Sequence, residues 1–234
     1  MMRGTNQMPE NLAGQVNTIG KNVTWRILFF TAAICVLVTS VIAFLCMLFS
    51  FVWAPFSHLS VIFLLILSIV MIVLDAPLPQ NDKLDMVRVR VYKYLLFMTR
   101  FTGRGIWYAF LGTEVWVVLW DNDLVGWLKW LAIPLGVYPV LLGIGSGLYG
   151  LMLSRKLNSV RKAIMDHPPP PQCNERGFDK SAFSDLCMSA NQTRFTDDEL
   201  DYVINGLSFA ARNDGVVSQE EYYRWISAGW WQIV

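Results

Sequence analysis

Long apolar runs set the first pattern along the chain. Residues 27–52, 59–74, 94–120 and 127–153 are almost continuously hydrophobic, whereas the segments between and beyond them are polar. A helix rises 1.5 Å per residue and the hydrocarbon core of a bilayer is about 30 Å thick, so each run is long enough, or nearly so, to cross it. The pattern predicts an all-α protein: a four-helix transmembrane bundle with a small helical C-terminal domain. Its expected divisions are a polar N-terminal segment (1–25), the membrane domain (26–155), a proline-containing linker (156–177) and the C-terminal domain (178–234).

The positive charges fall on one side of this pattern. Arg3, Lys21 and Arg26 precede the first run; Lys83, Arg88, Arg90 and Lys93 lie between the second and third; Arg155, Lys156, Arg161 and Lys162 follow the fourth. Residues 53–58 and 121–126 hold no lysine or arginine, and Trp53, Trp116, Trp120, Trp127 and Trp130 cluster near these two connections, as indole rings do at the headgroup interface. By the positive-inside rule both termini and the 75–93 loop are expected in the cytosol. Residues 1–20 have no apolar core of their own, so the first run is expected to serve as its own insertion signal. The sequons Asn22-Val-Thr24 and Asn191-Gln-Thr193 then lie on the unglycosylated side.

Composition sharpens the class. Hydrophobic residues make up 54% and charged residues only 16%, against a usual charged share of about 25%, which disfavours a purely soluble domain. A net charge of +1 gives no basic field for nucleic acid. Cys35, Cys46, Cys173 and Cys187 lack the spacing of a zinc site or a disulfide framework and read as free thiols.

The third run carries charges where they are expensive. Arg100 and Arg104 are four residues apart, and Glu114 lies further along the same run. If the helix starts at residue 94, both arginines share a face about 9–15 Å inside it. Three readings stand open: the arginines snorkel to the interface; Arg104 pairs with Asp75 at the end of the second run, with glycines Gly103, Gly105 and Gly112 allowing close helix approach; or Arg104 and Glu114 serve conduction or a proton relay.

The residues around Arg104 carry a resemblance. The run Phe97-Met-Thr-Arg-Phe-Thr-Gly-Arg-Gly-Ile-Trp-Tyr-Ala-Phe-Leu-Gly112, preceded by Asp75, Pro77 and Pro79 closing the second run, resembles the signature of the COPI-associated Golgi membrane proteins over about residues 25–155. The resemblance implies a small tetraspan protein of Golgi and late-Golgi vesicles, linked to vesicle-mediated transport and with no established enzymatic activity. The polar extension after residue 158 departs from the short family pattern.

In the fourth run, Gly145-Ser-Gly147-Leu-Tyr-Gly150 matches the letters of a dinucleotide fingerprint, but no strand precedes it. Gly143 and Gly147 are expected instead to form a small-residue packing face, and Pro134 and Pro139 to bend the helix.

Beyond the prolines at 168–171, Thr196-Asp-Asp-Glu199 is a capping box followed by Leu200, Val203, Ile204 and Leu207 at helical spacing. The stretch from Ala210 to Glu221 has EF-hand length and anatomy, with Gly215 sixth, Val217 eighth and Glu221 twelfth. Positions one and three are Ala210 and Arg212, so only Asp214, Ser218 and Glu221 keep side-chain oxygens, and a degenerate, non-binding hand is expected, with a weak calcium site as the alternative. The segment from Phe178 to Met188 reads as helical and as part of a partner for it. The aromatic tail with Trp230 and Trp231 is expected to bury itself or lie on the membrane, with coat binding as an alternative.

The chain has only two histidines, His58 and His167, and neither a nucleophile elbow nor a metal-ligand cluster, so no enzyme, cofactor or metal is expected. The reading that follows is an integral membrane protein of the Golgi and vesicle system, with an oligomer in the bilayer left open, whose cytosolic tail binds proteins such as coat components. The alternative is a structural subunit or small channel that uses Arg104 and Glu114.

Overall fold

The computed structural model describes residues 23–50, 55–76, 91, 95–120, 126, 128–166, 177–207, 216–227 and 234. Among these the architecture is all-α, with one two-stranded antiparallel pairing. The helices are α1 (Val23–Ser50), α2 (Pro55–Asp75), α3 (Phe101–Trp120), α4 (Leu128–Asp166), α5 (Lys180–Asn191), α6 (Asp197–Leu207) and α7 (Gln219–Ser227). Strand β1 (Phe178–Asp179) pairs with β2 (Val216–Val217).

Among the described residues three helices are long and apolar enough to cross a membrane: Trp25–Phe49 of α1, Phe56–Asp75 of α2 and Trp130–Asp166 of α4. The third expected span differs. Residues 96–99 form a 3-10 turn and Arg100 is extended, at φ −84° and ψ 138°, so α3 begins only at Phe101. Twenty residues long and carrying Arg104 and Glu114, α3 is not among the helices that reach that apolarity. The fourth expected span ends later than the apolar run. It continues to Asp166, so residues 156–166, expected in a linker, are helical.

The chain divides into two compact units. One holds α1, α2, α3 from Thr102 and α4 through Leu148. Its buried side chains include Phe29, Val36, Leu64, Met71, Tyr108, Leu111, Val115 and Ala132, while Ile34, Val38, Val41, Leu45 and Leu48 of α1 face outward at helical spacing, as a lipid-facing stripe would. Buried Thr39, Ser40, Ser68 and Ser146 donate their hydroxyl protons to carbonyls three or four residues back, which satisfies them without a polar partner on another helix.

Within this unit α3 and α4 meet through glycines. A Cβ on Gly105 would stand 2.6 Å from the backbone nitrogen of Gly147 and 2.7 Å from the carbonyl of Gly143. One on Gly143 would press on the backbone of Ala109 and Gly105. Seven residues along, a Cβ on Gly112 would meet Val140 and the Gly136 carbonyl, the latter at 2.9 Å. Gly105 and Gly112 on α3 thus oppose Gly143 and Gly136 on α4, two antiparallel pairs at heptad spacing that bring the backbones into contact. Gly147 also brings backbone to this contact, since its nitrogen is the atom nearest a Cβ on Gly105, but a Cβ on Gly147 itself would meet nothing within 4 Å.

The other unit holds α4 from Tyr149 together with α5, α6, α7 and the paired strands. Its core joins Leu153, Leu157, Val160 and Ile164 of α4 to Phe183, Leu186 and Cys187 of α5, Leu200, Val203, Ile204 and Leu207 of α6, and Trp225 of α7. The α4 residues recur at four- and three-residue intervals while Arg155, Lys156 and Lys162 lie between them, which makes the end of α4 amphipathic and explains why it stays helical. The capping box opens α6 as its sequence predicts: Thr196 N–H donates to Glu199 Oε2 (2.9 Å) and Glu199 N–H to Thr196 Oγ1 (3.3 Å).

Cys35 and Cys187 are free thiols. Burial pushes the Cys187 thiol up to about 12.

Two outcomes are expected. Gly105→Ala or Gly143→Ala should cost about 1–3 kcal/mol because backbone, rather than a movable side chain, blocks the new methyl, whereas Gly147→Ala should cost close to nothing. Thermal unfolding of the detergent-solubilised protein checks this, and equal losses at all three positions would contradict the assigned contact. Cys187 should resist maleimide in the folded protein and react once it is denatured, since a group so shifted and buried carries almost no accessible thiolate at neutral pH.

Candidate functional site

The buried charges of the apolar unit come together at helix ends. Asp75 is the last residue of α2 and its side chain is 1% exposed. Arg104 lies in the first turn of α3, about 4.5 Å along its axis, not 9–15 Å deep as a helix from residue 94 implies. Its Nη1 stands 3.2 Å from Asp75 Oδ1 and its guanidinium lies 5.6 Å from the centre of the Phe29 ring. Of the three arrangements open to Arg104, the one formed is the ion pair with Asp75.

Tyr108 completes the cluster one turn further along α3. Its hydroxyl donates to Asp75 Oδ2 and also lies 2.9 Å from the Phe29 carbonyl oxygen, so one proton is shared between two acceptors. The Tyr108 and Phe29 rings stack at 5.1 Å. From α1, Arg26 Nη2 donates to the Ala76 carbonyl just after the end of α2 (2.8 Å), and Tyr138 of α4 donates to the Leu28 carbonyl (3.0 Å). Four helices are thereby tied by polar contacts at one place in their lengths.

Chemically the cluster neutralises and holds; it offers no activated nucleophile. The Arg104 guanidinium and the Tyr108 hydroxyl both meet the Asp75 carboxylate, one at each oxygen, so the polar atoms of the cluster serve to join helices. Among the described residues no group of three or more His, Cys, Asp or Glu side chains is placed to hold a metal ion.

The other expected site residues fall elsewhere. Arg100 precedes α3 and is not helical, so the shared face with Arg104 does not form. Glu114 and Gly103 are half-buried on α3. Asp214 and Gly215, with Ala210 and Arg212, lie outside the described residues. Ser218 and Glu221 cap α7: Glu221 Oε2 accepts from the Ser218 N–H and Oγ, both at 3.0 Å. Trp230 and Trp231 lie outside the described residues.

Tyr108, Phe29 and Gly136 were not singled out by sequence as contact residues, although Tyr108 lies in the run that carries the family resemblance. Tyr108 could have been, because it sits one turn after Arg104 and shares its face. Phe29 could not, since an aromatic residue in an apolar run carries no signal of what it covers.

If Asp75 and Arg104 act as a pair, removing either charge should cost about 3–5 kcal/mol by stranding the other. The double change Asp75→Asn with Arg104→Gln should cost less than the sum by about 1–3 kcal/mol. Denaturant unfolding of the four proteins in detergent measures the coupling, and additive losses would exclude it. Tyr108→Phe should keep the ring stacking and lose about 1–3 kcal/mol by leaving buried acceptors without the phenol proton.

A family model described as COPI associated protein matches residues 26–154. The match takes in Asp75, Arg104, Tyr108 and the four opposed glycines, and ends within α4 at residue 154. Comparison with curated proteins and with solved structures finds no match. More than half of the chain, including every residue of the charge cluster, fits the model, so the chain belongs to the COPI-associated protein family.

Proposed function

We propose that this protein is a multi-pass membrane protein of Golgi and late-Golgi vesicles that takes part in vesicle-mediated transport through protein contacts made by its C-terminal region. The family match over residues 26–154 carries this reading, because it covers the membrane-crossing helices together with the cluster that ties them. The family is one of trafficking-related membrane proteins rather than enzymes, and no catalytic constellation in the sequence argues otherwise.

Orientation follows from charge. With α3 counted as a fourth crossing, both ends of the described chain lie on one side, and the lysines and arginines before α1, between α2 and α3, and along the end of α4 make that side the cytosol. The C-terminal unit then faces coat components and other cytosolic proteins. Conduction through Arg104 and Glu114 has less support, since the Arg104 guanidinium is occupied by Asp75.

Tags at both ends should be digested by protease added to sealed vesicles, and a glycan acceptor inserted near Asn122 should be modified. Protection of either tag would overturn the topology. Proximity labelling from a C-terminal fusion should enrich Golgi and coat proteins over those of the endoplasmic reticulum and plasma membrane; equal labelling of all three would sink the trafficking role.

A further inference from the structure

The C-terminal unit repeats one plan twice. Helix α4 is followed, after residues 167–177, by strand β1, which leads without a break into helix α5. Helix α6 is followed, after residues 208–215, by strand β2, which leads after Ser218 into helix α7. The two strands lie antiparallel, with Phe178 opposite Val217 and Asp179 opposite Val216. Gly177, at φ +103°, is held against the Val217 carbonyl where any side chain would collide, so the approach of the two strands depends on a glycine in a left-handed conformation.

We propose that this unit is a pair of EF-hand-like motifs, that the end of α4 supplies the first helix of the first hand, and that neither hand takes calcium, so the pair keeps one conformation whatever the calcium level. The inference stands apart from the trafficking role, since it rests on the fold of the unit alone.

The strand register assigns the loop positions. With Ala210 first in a twelve-residue loop, Val217 is eighth, Ser218 ninth and Glu221 twelfth. Val217 pairs with Phe178, so Phe178 is eighth in the other loop, Asp179 ninth and Ala182 twelfth. Asp179 and Ser218 then occupy equivalent positions, immediately before α5 and α7.

The donor sets do not fit calcium. The twelfth position must supply a bidentate carboxylate, and in the first hand it is the methyl of Ala182, packed against the core. In the second hand Glu221 is engaged as the cap of α7: Glu221 N–H donates back to Ser218 Oγ (3.2 Å), closing a reciprocal box. Positions one and three are Ala210 and Arg212, which bring no oxygen and one positive charge.

Other contacts supply what a metal would. Lys156 of α4 reaches Glu199 of α6 at 2.7 Å and lies 4.5 Å from the Phe195 ring centre. Lys180 of α5 reaches Asp201 of α6 at 2.8 Å. Val234 is fully buried: its N–H donates to Ser154 Oγ of α4 (2.9 Å) and its Cα stands 3.1 Å from the position of a Cβ on Gly206 of α6. The first helices of both hands are thus joined directly, once by a charge pair and once through Val234.

Hydrogen exchange on the full-length protein in lipid nanodiscs, with EGTA or with about 1 mM calcium, a level above the working range of sensor loops, tests the calcium claim. Exchange in α5, α6, β2 and α7 should agree within about twofold between the two conditions; a slowing of about tenfold or more over residues 216–227 with calcium overturns it. The pairing is tested by Phe178→Cys with Val217→Cys in a Cys173→Ser background, which should form an intramolecular disulfide in most molecules under mild oxidation, because antiparallel partners lie within bridging distance. Failure to cross-link in a protein that keeps its native elution and tryptophan fluorescence overturns the paired arrangement. Should the cysteine variant not accumulate, Gly177→Ala gives a second reading: exchange at Val216 and Val217 should rise about tenfold, and unchanged exchange there overturns the pairing.

Discussion

Two charges in the apolar unit each oppose the dipole of the helix that carries them. Asp75 places a negative charge at the C-terminal end of α2, where carbonyls already concentrate negative potential, and Arg104 places a positive charge in the first turn of α3, where amides concentrate the positive. Alone, each is unfavourable on its own helix and worse in a medium without water. Set against each other at 3.2 Å they cancel, and the opposed ends of α2 and α3 acquire a reason to meet. Phe29 lies against both Arg104 and Tyr108, so the same contact fixes α1. Arg26 adds the favourable sense, a cation on the carbonyl that follows α2.

The glycine pairs between α3 and α4 answer a different need. In lipid there is no hydrophobic drive to push helices together, so close backbone approach and dispersion have to do it. Gly105 and Gly112 give α3 a smooth strip that matches the strip of Gly143 and Gly136, and the heptad interval keeps both contacts on one side of each helix. A charge pair specifies which helix ends meet; the glycines let the helices lie flush thereafter. These are separable contributions, one directional and one steric.

Much of this was legible in the chain. The apolar runs gave the helices, and the pairing of Asp75 with Arg104 was among the arrangements the charges allowed. The late start of α3 was hidden because residues 94–99 are apolar and contain neither proline nor glycine, so nothing local marks the break before Phe101. Gly143 and Gly147 form a four-residue motif within one helix and both present backbone to Gly105, but spacing alone does not tell that a methyl is blocked only at Gly143, where Gly105 and Ala109 close in. The extension of α4 was missed for a related reason. Leu153, Leu157, Val160 and Ile164 make a stripe only against partners that come later in the chain, and the charges between them resemble a solvated linker when read alone. In the C-terminal region the helices were readable from caps and spacing, while the second loop of the pair was not, because positions one, three and twelve are Pro171, Cys173 and Ala182 and bring no side-chain oxygen to announce it.

The length of α4 has a consequence for the order in which the protein is made. Its last eleven residues complete the core of the C-terminal unit, yet they leave the ribosome before α5, α6 and α7 exist to cover them. Until Trp225 and the residues before it have been synthesised, an apolar stripe directly follows a membrane segment with nothing to shield it. A chain cut short after Asp166 would leave Leu157, Val160 and Ile164 without the side chains of α5, α6 and α7 that cover them, so the end of α4 has its apolar partners only once the rest of the chain is made.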